Sequence, residues 1–423
     1  MLQRRLLLVI TAFLFLVNAK HRAITHPVGW PLTAAPADTF SFAQPTEVTT
    51  RHIALDLTVD FEARTLSGKA TLEIENLKGT STLVLDTEAL QISKVTLDDG
   101  EPATWQLGTG NSFGRPLNIT IEPDTESVTI EYVTSPGADG LTWATAQQSY
   151  GRKFPYLYSL NEPVDARSWI PCQDTPSVRS TYEAVIHAPQ GLIALMSAAN
   201  NPTAINDTGV YRFQMPYTIP AYLIALAVGK IEFRAFDERT GVYAEPELID
   251  DAEWELQYLP EMVDIAEDLA GPFPFLRHDV LFLPPTFQVG GMEHPMLNFV
   301  TPFNTIDGNH NEPDADLVIA HELAHSWAGD ATTLANWNDV WLNEGITSYL
   351  TLRILEQMWG PERTEYAWFI DRRGYENFAK SVDPEETILH RTVSHPFDGF
   401  NSTGYTKGEL FMKMLEDTIG RER

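Results

Sequence analysis

The sequence predicts an α+β chain of more than one domain: an antiparallel β domain first, then a mixed α/β domain. Three observations carry this. Apolar residues recur at every second position from Ile53 onward, the mark of half-buried strands. No strong helical pattern precedes about residue 250. Beyond it helical stripes take over, and one holds the run His321-Glu322-Leu323-Ala324-His325. At 423 residues, 43% of them hydrophobic, the chain is long enough for two or three cored domains.

The N-terminus reads as an address. Arg4 and Arg5 precede the apolar run Leu6 to Val17, and Asn18-Ala19 offers a small residue for cleavage. That is the layout of a secretory signal peptide over residues 1–19. The run is short for a membrane span, so an uncleaved anchor is the lesser alternative. The expectation is a secreted or periplasmic protein. With 29 basic against 58 acidic residues the net charge is −29. Nucleic acid and anionic membrane both require basic surface and are excluded as partners on that ground.

Residues 20–46, rich in Pro, Ala and Thr, read as a linker or tail. The β domain is expected over 47–229 as a saddle or sandwich of antiparallel sheets. Its strands include Ile53 to Phe61, Ala70 to Ile74, Leu83 to Leu85, Ile119 to Ile121, Val128 to Val133, Tyr182 to His187 and Tyr222 to Val228. Within it Asn161 to Arg167 and Pro171 to Pro176 read as ordered loops, with Glu162 by composition an exposed loop carboxylate. Cys172 is the only cysteine, which forbids an intrachain disulfide and makes it a small buried apolar residue.

The second domain is expected over 230–423, with a helix from Trp254 to Ala270 that stops at Gly271-Pro272 and a strand at Val280 to Leu283. Gln288 to Pro295 follows, where Gly290 and Gly291 let backbone approach a ligand closely. An exposed strand edge there can pair with an extended peptide, and Glu293 after Met292 can meet a charged group on it. Asp314 and Asp316 are candidate caps for a helix from Leu317, and Val340 to Trp359 reads as a further helix. A last helix follows Tyr405 and bears Leu410, Phe411, Met414, Leu415 and Ile419. By composition Tyr405 itself is a packing residue.

Spacing turns one of these helices into chemistry. Positions i and i+4 share a helix face, so His321 and His325 can offer two imidazoles to one metal. Glu344, from the next helix, supplies a third ligand and leaves a zinc tetrahedron with one open position, the signature of a catalytic site. Glu322, beside the pair, is placed to take a proton from water held there.

These motifs together resemble the M1 zinc aminopeptidases. The carriers are His-Glu-x-x-His with 18 residues between His325 and Glu344, Gly290-Gly291-Met292-Glu293 before it, and Tyr405-x-Lys407-Gly408 after it. Pro171 to Ser177 and Trp341 to Gly345 are most similar to the leukotriene A4 hydrolase-like branch. The resemblance runs from about residue 38 to the end. It implies a β saddle followed by a thermolysin-like catalytic domain, with one zinc ion per chain held by His321, His325 and Glu344. It implies Glu322 as general base, Tyr405 as oxyanion donor, and Glu162 with Glu293 as the carboxylates that bind a substrate's free α-amine. The Gly290, Gly291 and Met292 stretch would hold the peptide extended. The implied function is hydrolysis of the N-terminal residue from peptides with a free N-terminus. Three positions depart from the family: His294 stands where asparagine is usual, Leu160 where glutamine is common, and Phe400 where the epoxide hydrolases have a second tyrosine. Glu162 and Phe400 speak against the alternative of a bifunctional epoxide hydrolase and aminopeptidase; the other alternative is a catalytically impaired zinc- or peptide-binding protein. The family continues past the equivalent of Arg423, which predicts an incomplete catalytic domain of weak activity, with the stripe after Tyr405 uncovered.

Overall fold

A computed structural model describes residues 38–98, 100–200, 208–303 and 315–421. The segment 1–19 read as a signal peptide, most of the 20–46 tail and Asp314 lie outside these residues.

Alternating burial builds the first domain around a seven-stranded sheet. Its strands run in the order Val210–Ile219, Ser180–His187, Val48–Asp60, Thr65–Asn76, Ser127–Val133, Gln91–Leu97, Glu101–Pro102. Ile53, Leu55, Leu57 and Val59 point inward from the central strand, as the period-two pattern predicts. One pairing departs from the antiparallel expectation: Val48–Asp60 runs parallel to Ser180–His187. Residues 61–179 separate the two strands, so no local turn dictates their sense. A three-stranded sheet and a four-stranded sheet, the latter containing Tyr156–Ser159 and Leu226–Gly229, complete the domain. The expected strand from Tyr222 begins instead as a 3₁₀ turn at Ala221–Leu223.

The second domain opens on a five-stranded mixed sheet in the order Glu232–Ala235, Thr240–Ala244, His278–Phe282, Asn298–Val300, Gly291–Met292. Helices pack beside it: α1 (Ile249–Glu255), α2 (Leu259–Ala270), α3 (Asp316–His325), α4 (Val340–Trp359), α5 (Pro361–Phe378) and α6 (Gly408–Ile419). The single helix expected from Trp254 is broken between α1 and α2, where Pro260 opens the second helix and cannot continue the first. Asp316 is the first residue of α3 rather than its cap; Ala315 holds the cap position. No described helix is long and apolar enough to cross a membrane.

One hydrophobic core runs across both domains, from the sheet residues Leu57 and Ile130 to Leu281, Phe287 and Trp337. Arg179 clamps the boundary. It donates to Thr218 O at 2.6 Å, to Asp330 O at 2.8 Å, and to Thr333 Oγ1.

The stripe after Tyr405 is not bare. Gly408, Glu409 and Met412 are buried, Leu410, Phe411, Leu415 and Ile419 half-buried, and only Met414, at 53%, stands exposed. The cover is α4, whose Trp341 takes the Phe411 ring edge-on at 5.8 Å. The two backbones nearly touch: a Cβ added to Gly345 would lie 2.5 Å from the Gly408 Cα.

Glu409, on α6, is buried with Oε1 lacking a hydrogen-bond partner among the described residues. Burial, then the Asp371 carboxylate of α5, pushes it up to about 9. The folded chain therefore holds a proton that the unfolded chain releases above its ordinary value of roughly 4.3. The linked stability is present below that value and lost as pH rises toward about 9. Glu409→Gln fixes the neutral form. It should raise Tm by about 2–4 °C or more at pH 8 and give no gain near pH 4. Melting curves at both pH values decide it, and a gain independent of pH refutes the assignment.

Candidate active site

Helices α3 and α4 meet to place the chemistry. On α3, His321 and His325 lie one turn apart and aim their Nε2 atoms at each other, 3.1 Å apart. Glu344, from α4, brings Oε2 to 3.2 Å from His321 Nε2 and 3.4 Å from His325 Nε2. Ligand bonds of roughly 2.0–2.1 Å give a zinc tetrahedron edges of about 3.3–3.4 Å. Three donor atoms at these spacings fit one zinc ion. Two imidazole nitrogens held this close, beside a carboxylate and nearly out of water, also need a cation between them.

Outer partners fix the ligands. His325 Nδ1 lies 3.0 Å from the Ala328 carbonyl, so Nδ1–H donates there and the Nε2 lone pair is left for a metal. Thr347 Oγ1 donates to the same carbonyl at 2.8 Å, and Thr351 Oγ1 sits 3.5 Å from His321 Nδ1. Neither threonine was singled out in the sequence. Their signal was polar residues every four positions (343, 347, 351) along the helix that carries Glu344.

The other candidates gather around this centre. Glu322 is buried with Oε2 unpartnered. Burial raises its pKa well above the usual range; the His325 charge opposes this, and Glu293 and Glu344 add to it. A divalent ion held by the triad would favour the ionised form of Glu322. Glu293 is buried and accepts from Asn343 Nδ2 at 3.1 Å. Burial alone would raise Glu344, but the His325 charge and hydrogen bonds from both histidines hold it down at about 2. His325 is raised well above its normal value: burial disfavours its charge, but Glu293 and Glu344 outweigh that.

Glu162 arrives from the first domain. Its loop is pinned by Asn161 Nδ2, which donates to Ile224 O at 2.6 Å, and by Trp169 Nε1, which donates to Asn161 Oδ1 at 2.7 Å. Arg167 is buried and donates to Asp174 Oδ2 at 2.9 Å and to Phe40 O at 2.8 Å, which ties the two sequence loops together. The composition-based reading of Glu162 as an exposed loop carboxylate is corrected: Oε1 is enclosed and unpartnered. Burial, then Glu293 and Glu344, push its pKa well above normal.

Of the two glycines only Gly291 is closely packed, against the Glu322 side chain. A Cβ there would lie 2.5 Å from Glu322 Cδ, whereas at Gly290 the nearest atom is a Val318 methyl at 3.6 Å. Gly291–Met292 is the edge strand of its sheet, paired on one side with Asn298–Val300. Met292 is buried beneath it.

Tyr405 lies in a π-helical turn, Thr403–Lys407, just before α6. Its ring stacks on His321 with centroids 6.2 Å apart. Burial, then Glu344, Glu162 and Glu293, raise the phenol well above its ordinary value, so it remains a hydrogen-bond donor. The composition-based reading of Tyr405 as packing misses this setting. His294 is fully buried edge-on to Phe299 at 4.7 Å, and burial lowers it to about 3, which keeps it neutral. Phe400 packs on Trp337 at 5.9 Å. Asp330, not foreseen, is fully buried with both carboxylate oxygens unpartnered.

Comparison with known proteins identifies both domains. The Peptidase M1 N-terminal domain matches residues 49–223 and the Peptidase family M1 domain matches residues 254–423. The chain is 37% identical over 399 residues to leukotriene A-4 hydrolase of Xenopus laevis, covering 91% of this chain and 65% of that protein. Leucine aminopeptidase 2 of Yarrowia lipolytica is 36% identical over 382 residues, covering 87% of this chain and 58% of its own. The chain thus spans about three fifths of the length of these relatives. Leukotriene A4 hydrolase of Saccharomyces cerevisiae superposes with a TM-score of 0.84 at 32% identity, covering 94% of this chain and 63% of that one. An M1 zinc metallopeptidase variant of Deinococcus radiodurans, solved with a Tyr-Ser-Ala substrate, shares the fold at a TM-score of 0.70 and 23% identity. With the N-terminal and catalytic domains of one family matched in order along the chain, this chain belongs to peptidase family M1.

Proposed function

We propose that the chain is an aminopeptidase, releasing the first residue from peptides with a free N-terminus. The observation that carries this is the pairing of Glu162 and Glu293, two enclosed carboxylates beside the triad with too few cations around them. An α-ammonium group supplies the missing charge, and only a chain's first residue brings one to that place. The relatives named leucine aminopeptidase and the Deinococcus structure with its peptide support the reading.

His321, His325 and Glu344 would hold zinc, which when bound supplies Lewis acidity that lowers the pKa of water from 15.7 toward roughly 7. Glu162 and Glu293 accept hydrogen bonds from the substrate ammonium and fix the scissile bond's distance from the triad. The free edge at Gly290 and Gly291 offers backbone groups to an extended peptide. Glu322 takes the proton of the attacking water as its oxygen bonds to the carbonyl carbon. As the C–N bond breaks, Glu322 returns that proton to the leaving amine. Tyr405 O–H donates to the carbonyl oxygen as negative charge develops on it. At the Phe400 position there is no hydroxyl for an epoxide-opening role, which leaves epoxide hydrolysis the less supported reading.

An aminoacyl arylamide and its N-acetylated twin test this, with and without a zinc chelator. Turnover of the free-amine compound alone, abolished by chelation, is expected. Equal turnover of both compounds sinks the proposal. Glu293→Ala and Glu162→Ala should each raise KM for the free-amine substrate by about tenfold or more, because charge-assisted hydrogen bonds are roughly twice as strong as neutral ones. Steady-state kinetics on each variant checks it; an unchanged KM removes that carboxylate from amine binding.

A further inference from the structure

We propose that Asn343 is a positioning residue that keeps two neighbouring carboxylates in separate jobs, Glu344 on the metal and Glu293 on the substrate amine. The proposal rests on the roles given above to those two residues. Asn343 is buried on α4, and its Nδ2 donates to Glu293 Oε1 at 3.1 Å and to Glu344 Oε1 at 3.4 Å. One amide nitrogen therefore ties both carboxylates by one oxygen each. Glu344 is left with Oε2 facing the two histidines, as the 3.2 and 3.4 Å separations record.

The separation is needed because the site holds a second set of donors. Glu293, Glu322 and His325 also bring one ligand atom each within 4.8 Å of one another, as His321, His325 and Glu344 do. Glu293 Oε1 stands only 3.9 Å from His325 Nδ1. Without the Asn343 hydrogen bond the Glu293 carboxylate is free to turn from the amine-binding position toward the histidine. Two carboxylates in an enclosed site also repel, and a donor shared between them offsets that repulsion.

The amide has one workable orientation. Turned over, Oδ1 would face two carboxylate oxygens, which accept and cannot donate. Oδ1 instead faces Gly329, where a Cβ would strike it and would sit 2.8 Å from His325 Nδ1. The residue at 329 is a glycine with φ +139°, a conformation that L side chains rarely adopt. The bend that admits the amide thus lies against the second histidine.

Asn343→Leu keeps the volume and removes the donors; Asn343→Ala serves if leucine fits badly. Zinc affinity is read by competition with a chromogenic chelator, which needs no turnover. Both variants should fold and bind zinc about 10–100-fold more weakly. The KM for a free-amine arylamide should also rise, and in a Glu293→Ala background that KM effect should vanish while the zinc effect stays. Zinc affinity within about twofold of wild type in both variants overturns the proposal. So does a KM effect undiminished in the Glu293→Ala background, or failure of both variants to fold, since either makes Asn343 a purely structural residue. A wild-type chain that turns over no arylamide strikes the aminopeptidase reading, and the zinc competition still decides the tie to Glu344.

Discussion

Glu322→Gln should give a folded protein with full zinc content and turnover lowered by about 10²–10⁴, the usual share of a general acid–base residue. The carboxylate of Glu322 belongs to none of the three ligand contacts among His321, His325 and Glu344. Its replacement by an amide of the same shape removes proton acceptance and little else. His325→Ala is the necessary contrast. It deletes a donor and frees Glu344 from one of its two histidines, so zinc itself should leave. Metal analysis of both purified variants, set beside their rates, separates base from ligand. Zinc lost from Glu322→Gln, or fully kept in His325→Ala, reverses the assignment.

Tyr405→Phe should slow turnover by about 10²–10³ with zinc content and Tm nearly unchanged, the effect of removing one preorganised oxyanion donor. The ring keeps its stacking on His321 at 6.2 Å and loses only the hydroxyl. The change should fall on kcat rather than KM, because the hydrogen bond strengthens as the carbonyl oxygen gains charge. A variant within about threefold of wild type, against the range expected for such a donor, returns Tyr405 to a packing role.

Much of the site was legible because its key relations are short in sequence. Two histidines four residues apart specify a shared face wherever the helix lies, and the helix carrying Glu344 runs over Val340–Trp359 as its periodicity predicts. Other relations were illegible because they are distant. Asn343 matters through Glu293, fifty residues upstream, and Glu162 reaches the site through a loop held by Ile224 O. Helix α5 was missed for a different reason. Only Thr364 is buried along it, while Tyr366 and Phe369 are exposed, so no apolar stripe announces the helix. The parallel pairing of Val48–Asp60 with Ser180–His187 escaped as well, since strand patterns report which face is buried and not which neighbour is chosen.

The contact of Gly345 with Gly408 means that Glu344 and Tyr405, the residues proposed as metal ligand and oxyanion donor, share one mechanical reference. Glu344 is the residue before Gly345, and Tyr405 lies three before Gly408, so main chain meeting main chain sets the distance between them. Side chains can change rotamer to absorb a neighbour's substitution, but backbone at van der Waals contact cannot. The junction therefore has no slack. A methyl group at either glycine is transmitted as a rigid displacement of helix against helix, felt at Glu344 and Tyr405 at once. Variation elsewhere on α4 and α6 can alter how firmly the two helices are pressed together while leaving the gauge between Glu344 and Tyr405 untouched.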